Sequence, residues 1–313
     1  MRLILAHDLG TTGNKAVLVD EQGNLVDTTF ASYRTAYPAP LAAEQNPTDW
    51  WRAVVHCTRA LLRADESRAR RLVAVGFCGH MNGAVLVDEE GIPLHPALIH
   101  ADIRASQPCE RLRQRIGEAD YYAITGNRLA PFYSLPKLMW LAERQPETVA
   151  RARWLLQAKD YCVGRMTRRW GVTDPSDASL TGIYDVHRLC WSEAVVEASG
   201  IPKRLLPEVV PSTTVVGHVC AESARATGLP EGLPVVMGAG DGACATVGAG
   251  AVEVGDSYTY IGGTAWTSCL RAGFTPDAGM RLTTLMSAQQ ERWVQFGTVQ
   301  SAGSAWDWLG RSV

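Results

Sequence analysis

The chain has 313 residues, 46% hydrophobic and 20% charged, with a net charge of −2. That length predicts about two domains and an ample core. The near-neutral balance speaks against a nucleic-acid binder or a membrane-surface protein. No apolar run reaches a membrane span.

The chain opens with strands predicted over 3–8, 15–20 and 25–33, with turns at 10–14 and 21–24. Asn46-Pro47-Thr48-Asp49 then starts a helix: Pro47 suits the first turn, and Trp50, Trp51, Val54, Val55, Leu61 and Leu62 recur on one face. A strand follows at 72–78 and a hairpin at 84–93, turning at 88–91. Later helices are expected at 104–116, 136–143, 160–166 and 192–198. The stretch 173–181 reads as a Ser/Asp/Thr-rich loop, and Pro202, Pro207 and Pro211 mark irregular backbone. A buried strand at 233–237 precedes a helix opening at Asp241. After Gly255 the opening pattern returns, with strand 257–261, tight turn Gly262-Gly263-Thr264 and strand 265–270. A repeated meander of this kind is the plan of actin-like nucleotide-binding domains.

The eight cysteines lie at least 21 positions apart, so they suggest neither a zinc site nor a disulfide framework. Cys78, Cys244 and Cys269 sit in apolar segments and read as buried thiols. Asp8 interrupts any signal-peptide core at the N-terminus. A reducing cytoplasm is the expected compartment. The arginines of 63–71 and 151–169 recur at helical spacing and read as solvated faces.

Three constellations carry chemistry. The tip Asp8-Leu9-Gly10-Thr11-Thr12-Gly13-Asn14-Lys15 offers backbone N–H groups, two hydroxyls and a lysine to phosphate oxygens. Asp8 enters the same turn, where it could hold a hydrated divalent cation. The run Gly238-Ala239-Gly240-Asp241-Gly242-Ala243 formally matches G-x-G-x-x-A. A dinucleotide would meet the charge of Asp241 inside that loop, and Asp256 precedes the next strand instead of ending it, so that reading fails. Asp241 is then either a base for a substrate hydroxyl or a helix N-cap. Finally, His80, Asn82, His100, Asp102 and Arg104 lie at element boundaries and can hydrogen-bond hydroxyls. For Asp102 and Arg104 a helix cap with a surface ion pair serves equally well.

Taken together, these positions resemble the FGGY carbohydrate kinases, particularly xylulokinase-like members. The resemblance rests on Asp8 through Lys15, Glu44-Gln45-Asn46-Pro47-Thr48-Asp49-Trp50-Trp51, Gly79 through Gly83, Asp102-Ile103-Arg104-Ala105 and Thr125-Gly126-Asn127. Pro136-Lys137-Leu138-Met139-Trp140-Leu141, Lys159-Asp160-Tyr161, Thr173 through Ser179, Gly240-Asp241 and Gly263-Thr264 extend it. It implies an α/β, actin-like (ribonuclease H-like) ATPase fold, with a sugar-binding N-terminal domain over 1–250 and the start of an ATP-side domain over 251–313. It also implies ATP and Mg²⁺, with Asp241 as base and Asp8 positioning the metal, Asp241 reaching it through water. Gly10, Thr11, Thr12, Lys15, Gly263 and Thr264 would face the phosphates. His80, Met81, Asn82, His100, Asp102 and Asp241 would face the sugar. The implied reaction phosphorylates the terminal hydroxyl of a ketopentose, D-xylulose to D-xylulose 5-phosphate. Gluconate, glycerol or another ketose are the alternatives, as is a non-catalytic sugar-binding fragment.

Several positions depart from the xylulokinase pattern. His80-Met81-Asn82-Gly83 stands for Gln-Met-His-Gly, His100-Ala101-Asp102 for Trp-Asn-Asp, and Gly242 for the Asn that tends to follow the base. Family members are also longer, so the resemblance implies a chain cut short in its second domain. On that reading the 257–297 meander lacks its covering helices. Trp293, Val294, Phe296, Trp306 and Trp308 are then expected to be partly uncovered, or covered by a second copy in a homodimer.

Overall fold

The computed structural model describes residues 1–262, 265–299 and 301–312. The apolar runs at the N-terminus pair as their alternation requires: β1 (Leu3–Leu9), β2 (Gly13–Asp20) and β3 (Leu25–Ser32) form an antiparallel meander. Leu3, Leu5 and Leu9 point into the core, one per two residues. Three further strands complete the sheet: β4 (Leu72–Gly79), β5 (Val215–His218) and β6 (Pro234–Gly240). β4 lies parallel to β1 and β6 parallel to β4, giving the order β5-β6-β4-β1-β2-β3. The parallel centre brings the C-terminal ends of β1, β4 and β6 to one edge, where ligands of open α/β sheets bind.

Helix α1 (Pro47–Arg63) begins as expected, with the Asn46 side chain accepting from Thr48 N. It buries Trp50, Val54, Cys57 and Leu61 in the core beneath the meander. Three further helices bear on the site: α2 (Ser134–Arg144), α3 (Ala158–Thr167) and α4 (Pro175–Leu180). Helix α4 corrects the loop expected over 173–181. Asp174 accepts from Ser176 N and Asp177 N, and Pro175 occupies the first turn, so the polar composition is cap chemistry. Helix α5 (Asp241–Gly248) follows β6 directly. The helices Glu118–Thr125, Pro146–Arg151 and Ala221–Thr227 were not expected; each is too short to show a periodic stripe.

A second, antiparallel sheet contains β7 (Ser257–Ile261), β8 (Ala265–Arg271), β9 (Thr283–Met286) and β10 (Trp293–Val299) in the order β7-β8-β10-β9. It repeats the opening hairpin, but β9 intervenes in sequence and joins outside β10. The expectation that its apolar residues lie uncovered is wrong for three of the five. Trp293, Val294 and Phe296 are buried. Trp293 Nε1 donates to Val186 O, and Asn127 bridges to Thr284 through both its amide groups. The first unit covers that face of the sheet. Trp306 and Trp308, on the helix Gly303–Ser312, are exposed as expected. Cys78, Cys244 and Cys269 are half-buried instead of buried; Cys57, Cys109 and Cys162 are the enclosed thiols. Among the described residues no helix is long and apolar enough to cross a membrane.

Candidate active site

Strand register assembles the acidic part of the site. Lys15, Asp8, Cys78 and Ala239 form one rung across β2, β1, β4 and β6. Gly79 and Gly240 follow on the next rung, and Asp241 begins α5 immediately beyond. Cys78 donates its thiol proton to Asp8 Oδ1 at 3.1 Å. Nothing in the sequence marked that contact, because it follows from register alone. On the opposite face His7 lies between Asn14 and Thr58 (3.1 and 3.2 Å), and burial pushes it down to about 4. It stays a neutral internal bridge.

The hairpin tip is held from behind by its carbonyls. Tyr33 OH donates to Gly10 O, Gln45 Nε2 to Thr11 O at 2.7 Å, and Tyr33 N to Thr12 O at 3.2 Å. Gly10 N closes the turn on Gly13 O at 3.0 Å, while Thr12 and Lys15 stand exposed at the tip. Gln45 also accepts from Trp50 Nε1, so the Glu44–Trp51 run works as a brace behind the tip. A side chain at Gly13 would meet the Phe30 ring at 2.3 Å and Ala31 O at 2.5 Å, so only glycine closes this turn.

The glycines before Asp241 have separate tasks. Gly238, at φ +71°, forms a bulge where a Cβ would lie 1.6 Å from Phe77 O. A Cβ on Gly240 would lie 2.4 Å from Met81 Sδ. Met81 is therefore the wall that joins the 80–83 loop to the head of α5. Asp241 opens to solvent on one side but is walled by protein on the others. That desolvation pushes its carboxyl up to about 6; the hydrogen bond from Gly242 N opposes the rise, and the Asp8 charge adds to it. Behind this turn, Gly240 N donates to Ser176 Oγ, which donates to Asp174. Asp174, Asp160 and Asp177 surround the buried Lys159 ammonium at 2.8, 2.7 and 2.9 Å. No role for these residues is legible in the sequence; they anchor Gly240 and the head of α5 from below.

The third group lies beside Met81. His80 is buried, its two ring nitrogens have no partner among the described residues, and Trp50 meets it edge-on at 5.2 Å. His100 faces it at 6.3 Å between ring centroids. Burial, His100 and Lys137 together push His80 down to about 3; burial and Lys137 lower His100 as well. Both are neutral imidazoles, each with one donor and one acceptor. Asn82 holds a left-handed backbone at φ +62°. Asp102 is fully buried, accepting from Ala43 N, Arg104 N and Arg104 Nε at 2.8, 3.2 and 2.8 Å. Arg104 also pairs with Glu44. Asp102 and Arg104 thus form an ion pair, but an interior one, which ties two segments behind the histidines. Gly263 and Thr264 lie outside the described residues.

Residues 3–248 match the N-terminal domain of the FGGY family of carbohydrate kinases. The chain belongs to this family. It is 32% identical to a xylulose kinase of Escherichia coli (strain K12) over 97% of its own length and 62% of that protein's. It is 28% identical to a gluconokinase of Bacillus subtilis (strain 168) over 98% of its length and 59% of the relative's. The crystal structure of xylulose kinase from Rhodospirillum rubrum superposes with a TM-score of 0.93 at 28% identity, covering 98% of this chain and 62% of that one. The fold is accordingly the actin-like ATPase fold of FGGY kinases, and the chain spans about three-fifths of these relatives.

The residues present fit a hydrated Mg²⁺ in a limited way. Asp8 and Asp241 face one site without an ion-pair partner among the described residues, so the pair carries unbalanced negative charge. Among the described residues no group of three or more ligating side chains gathers there. Such a pair suits a cation that keeps most of its water and phosphate ligands.

Proposed function

We propose that the protein to which this chain belongs transfers the γ-phosphoryl group of ATP to the terminal hydroxyl of a ketopentose, D-xylulose first among them. The observation that carries this reading is Asp241. Its carboxyl stands at the head of α5, poised near neutrality, between the phosphate hairpin on one side and the His80–Met81–Asn82 loop on the other. Asp241 accepts the proton of the attacking hydroxyl. Thr11, Thr12 and Lys15 hold the phosphates through the hairpin tip, and Asp8 and Asp241 would hold the hydrated cation. When bound, Mg²⁺ supplies neutralisation of charge developing on the transferred group. His80, Asn82 and His100 satisfy the sugar's hydroxyls, which a buried polyol site requires.

A neutral sugar fits this pocket better than an aldonate. The cations nearest the histidines are already committed: Arg104 to Asp102 and Glu44, and Lys137 to three backbone carbonyls. Neither offers a free charge to a carboxylate. The B. subtilis gluconokinase relative keeps gluconate as the second reading. A thermal-shift series with D-xylulose, D-ribulose, glycerol and gluconate separates them. D-xylulose should stabilise the chain most; larger stabilisation by gluconate would replace this reading with the second. In a protein of full family length, Asp241→Asn should keep sugar binding and lose most turnover.

A further inference from the structure

Lys137 lies in the first turn of α2 and is fully buried. Its Nζ donates to Asn82 O at 2.6 Å, Ile99 O at 2.7 Å and Phe132 O at 2.7 Å. Among the described residues no carboxylate lies within ion-pair distance of it. Burial pushes its pKa down to about 7, Asp102 drawing it back and Arg104 adding to the fall. The position is costly twice over. A desolvated ammonium lacks a counter-charge, and a cation at a helix N-terminus opposes the macrodipole. A helix selected for stability alone would carry Leu or Met here.

We infer that Lys137 is a positioning residue of the sugar pocket, whose ammonium gathers the Asn82, Ile99 and Phe132 carbonyls and so sets His80, Asn82 and His100 around one ligand. The inference rests on the kinase reading only in calling that ligand a sugar. Each carbonyl belongs to a different segment, and two of those segments adjoin the histidines directly. Asn82 needs such an anchor, because its left-handed backbone is unfavourable for a residue with a Cβ. Ser134, one turn back on the same helix face, donates to Gly83 O and doubles the clamp.

Composition supports the assignment. The chain has only four lysines (Lys15, Lys137, Lys159 and Lys203) against 26 arginines. Arginine serves nearly everywhere that surface charge suffices, and two of the four lysines are inside. A tetrahedral ammonium can aim three protons at three carbonyls in different directions; a planar guanidinium cannot. Burial keeps the His80 and His100 rings neutral and able to donate and accept, and the Lys137 charge beside them adds to that effect.

The test is calorimetric binding of D-xylulose by the chain, wild type against Lys137→Met and Lys137→Arg, with histidine ring NMR on each. Lys137→Met should fold, weaken D-xylulose about 30-fold, and not be rescued by Lys137→Arg. Binding within about threefold of wild type would overturn the inference. His100 faces His80 and feels the Lys137 charge; with that charge removed, its titration should move to higher pH. A titration that does not move also overturns it. If wild type binds no D-xylulose while that titration moves, the sugar reading fails and the positioning role stands. Should Lys137→Met not fold, wild type decides: the Lys137 ¹⁵Nζ signal must shift on saturation with D-xylulose, and an unmoved signal refutes the role.

Discussion

Lys137 and Lys159 are both wholly enclosed, yet their surroundings are opposite. Lys159 meets three carboxylates, which outweigh the effect of burial and hold its pKa well above the ordinary lysine value. Lys137 meets three neutral carbonyls, and burial prevails. The first arrangement anchors α3 and α4 beneath the base. The second spends stability to fix a loop that faces the ligand. A buried charge with matched partners is structural; one without them signals a functional constraint.

The largest effect should come from removing the matched charge. Lys159→Met leaves Asp160, Asp174 and Asp177 buried without a cation. Loss of one partner from a buried ion cluster costs about 3–5 kcal/mol. Denaturant unfolding at pH 7 should show a loss of that order, or no folded protein. Burial already pushes Asp177 well above the usual carboxylate range, with Lys159 pulling it back. Without the lysine, the folded pKa of Asp177 rises further. The folded state then gains protons as pH falls, and the deficit should shrink toward pH 5. An acid-independent deficit would mean the three carboxylates are not the source.

Lys137→Met should leave stability at pH 7 within about 1 kcal/mol of wild type, because removal of a desolvated charge offsets the lost hydrogen bonds. Its pH signature has the opposite sense. The folded pKa lies near 7, below the unfolded value, so between about 7 and 10 the unfolded chain binds the extra proton. Wild-type stability attributable to this group therefore rises with pH across that window, by at most about 1.4 kcal/mol per unit. The variant lacks the rise, so its deficit should widen from pH 7 to pH 9. Lys159, with a raised folded pKa, contributes stability that is fully present below its unfolded value and shows no such window.

These two lysines also mark where sequence reasoning stops. The Asp8–Lys15 hairpin is legible because apolar runs flank a glycine- and threonine-rich turn, and the head of α5 is legible because a buried strand runs into small residues and an acid. Lys137 sits in a short amphipathic helix, where a lysine ordinarily reads as solvent-facing. Its burial depends on Asn82 and Ile99, 55 and 38 positions away. The Cys78–Asp8 contact spans 70 positions and is set by strand register. The burial of Trp293 and Phe296 depends on segments more than a hundred residues upstream, and the local pattern showed only an apolar sheet face. Helix α4 failed to register for a local reason: its capping residues resemble a loop until the cap is recognised.

Asp241 tests whether the base follows the same rule as Lys137, with function retained against stability. Its folded pKa of about 6 exceeds the unfolded carboxylate value. The folded state therefore binds the extra proton between about pH 4 and 6, and the group's contribution falls as pH rises through that window. Above pH 6 the carboxylate is a net cost. Asp241→Asn should raise stability at pH 7.5 by about 1 kcal/mol, a figure kept small because the side chain opens to solvent. At pH 4 the gain should vanish. A destabilised Asn variant at both pH values would show that Asp241, first residue of α5 after the Gly240 N-cap, mainly supports that first turn.

The smallest effect belongs to the hairpin tip, and it sharpens the contrast between enclosed and open lysines. Lys15 and Thr12 are exposed, and the turn is held through carbonyls, by Tyr33 and Gln45, with no contribution from these two side chains. Replacing both, Thr12→Val with Lys15→Ala, should change stability by less than about 0.5 kcal/mol. D-xylulose affinity should be unchanged, because the residues proposed to hold the sugar, His80, Asn82 and His100, lie across Asp241 from this hairpin. In a protein of full family length the same pair should raise the KM for ATP several-fold, each lost contact to phosphate being worth about 1–2 kcal/mol. A pair that weakens D-xylulose as strongly as ATP would move this hairpin into the sugar pocket and reverse the assignment of the two sides of the cleft.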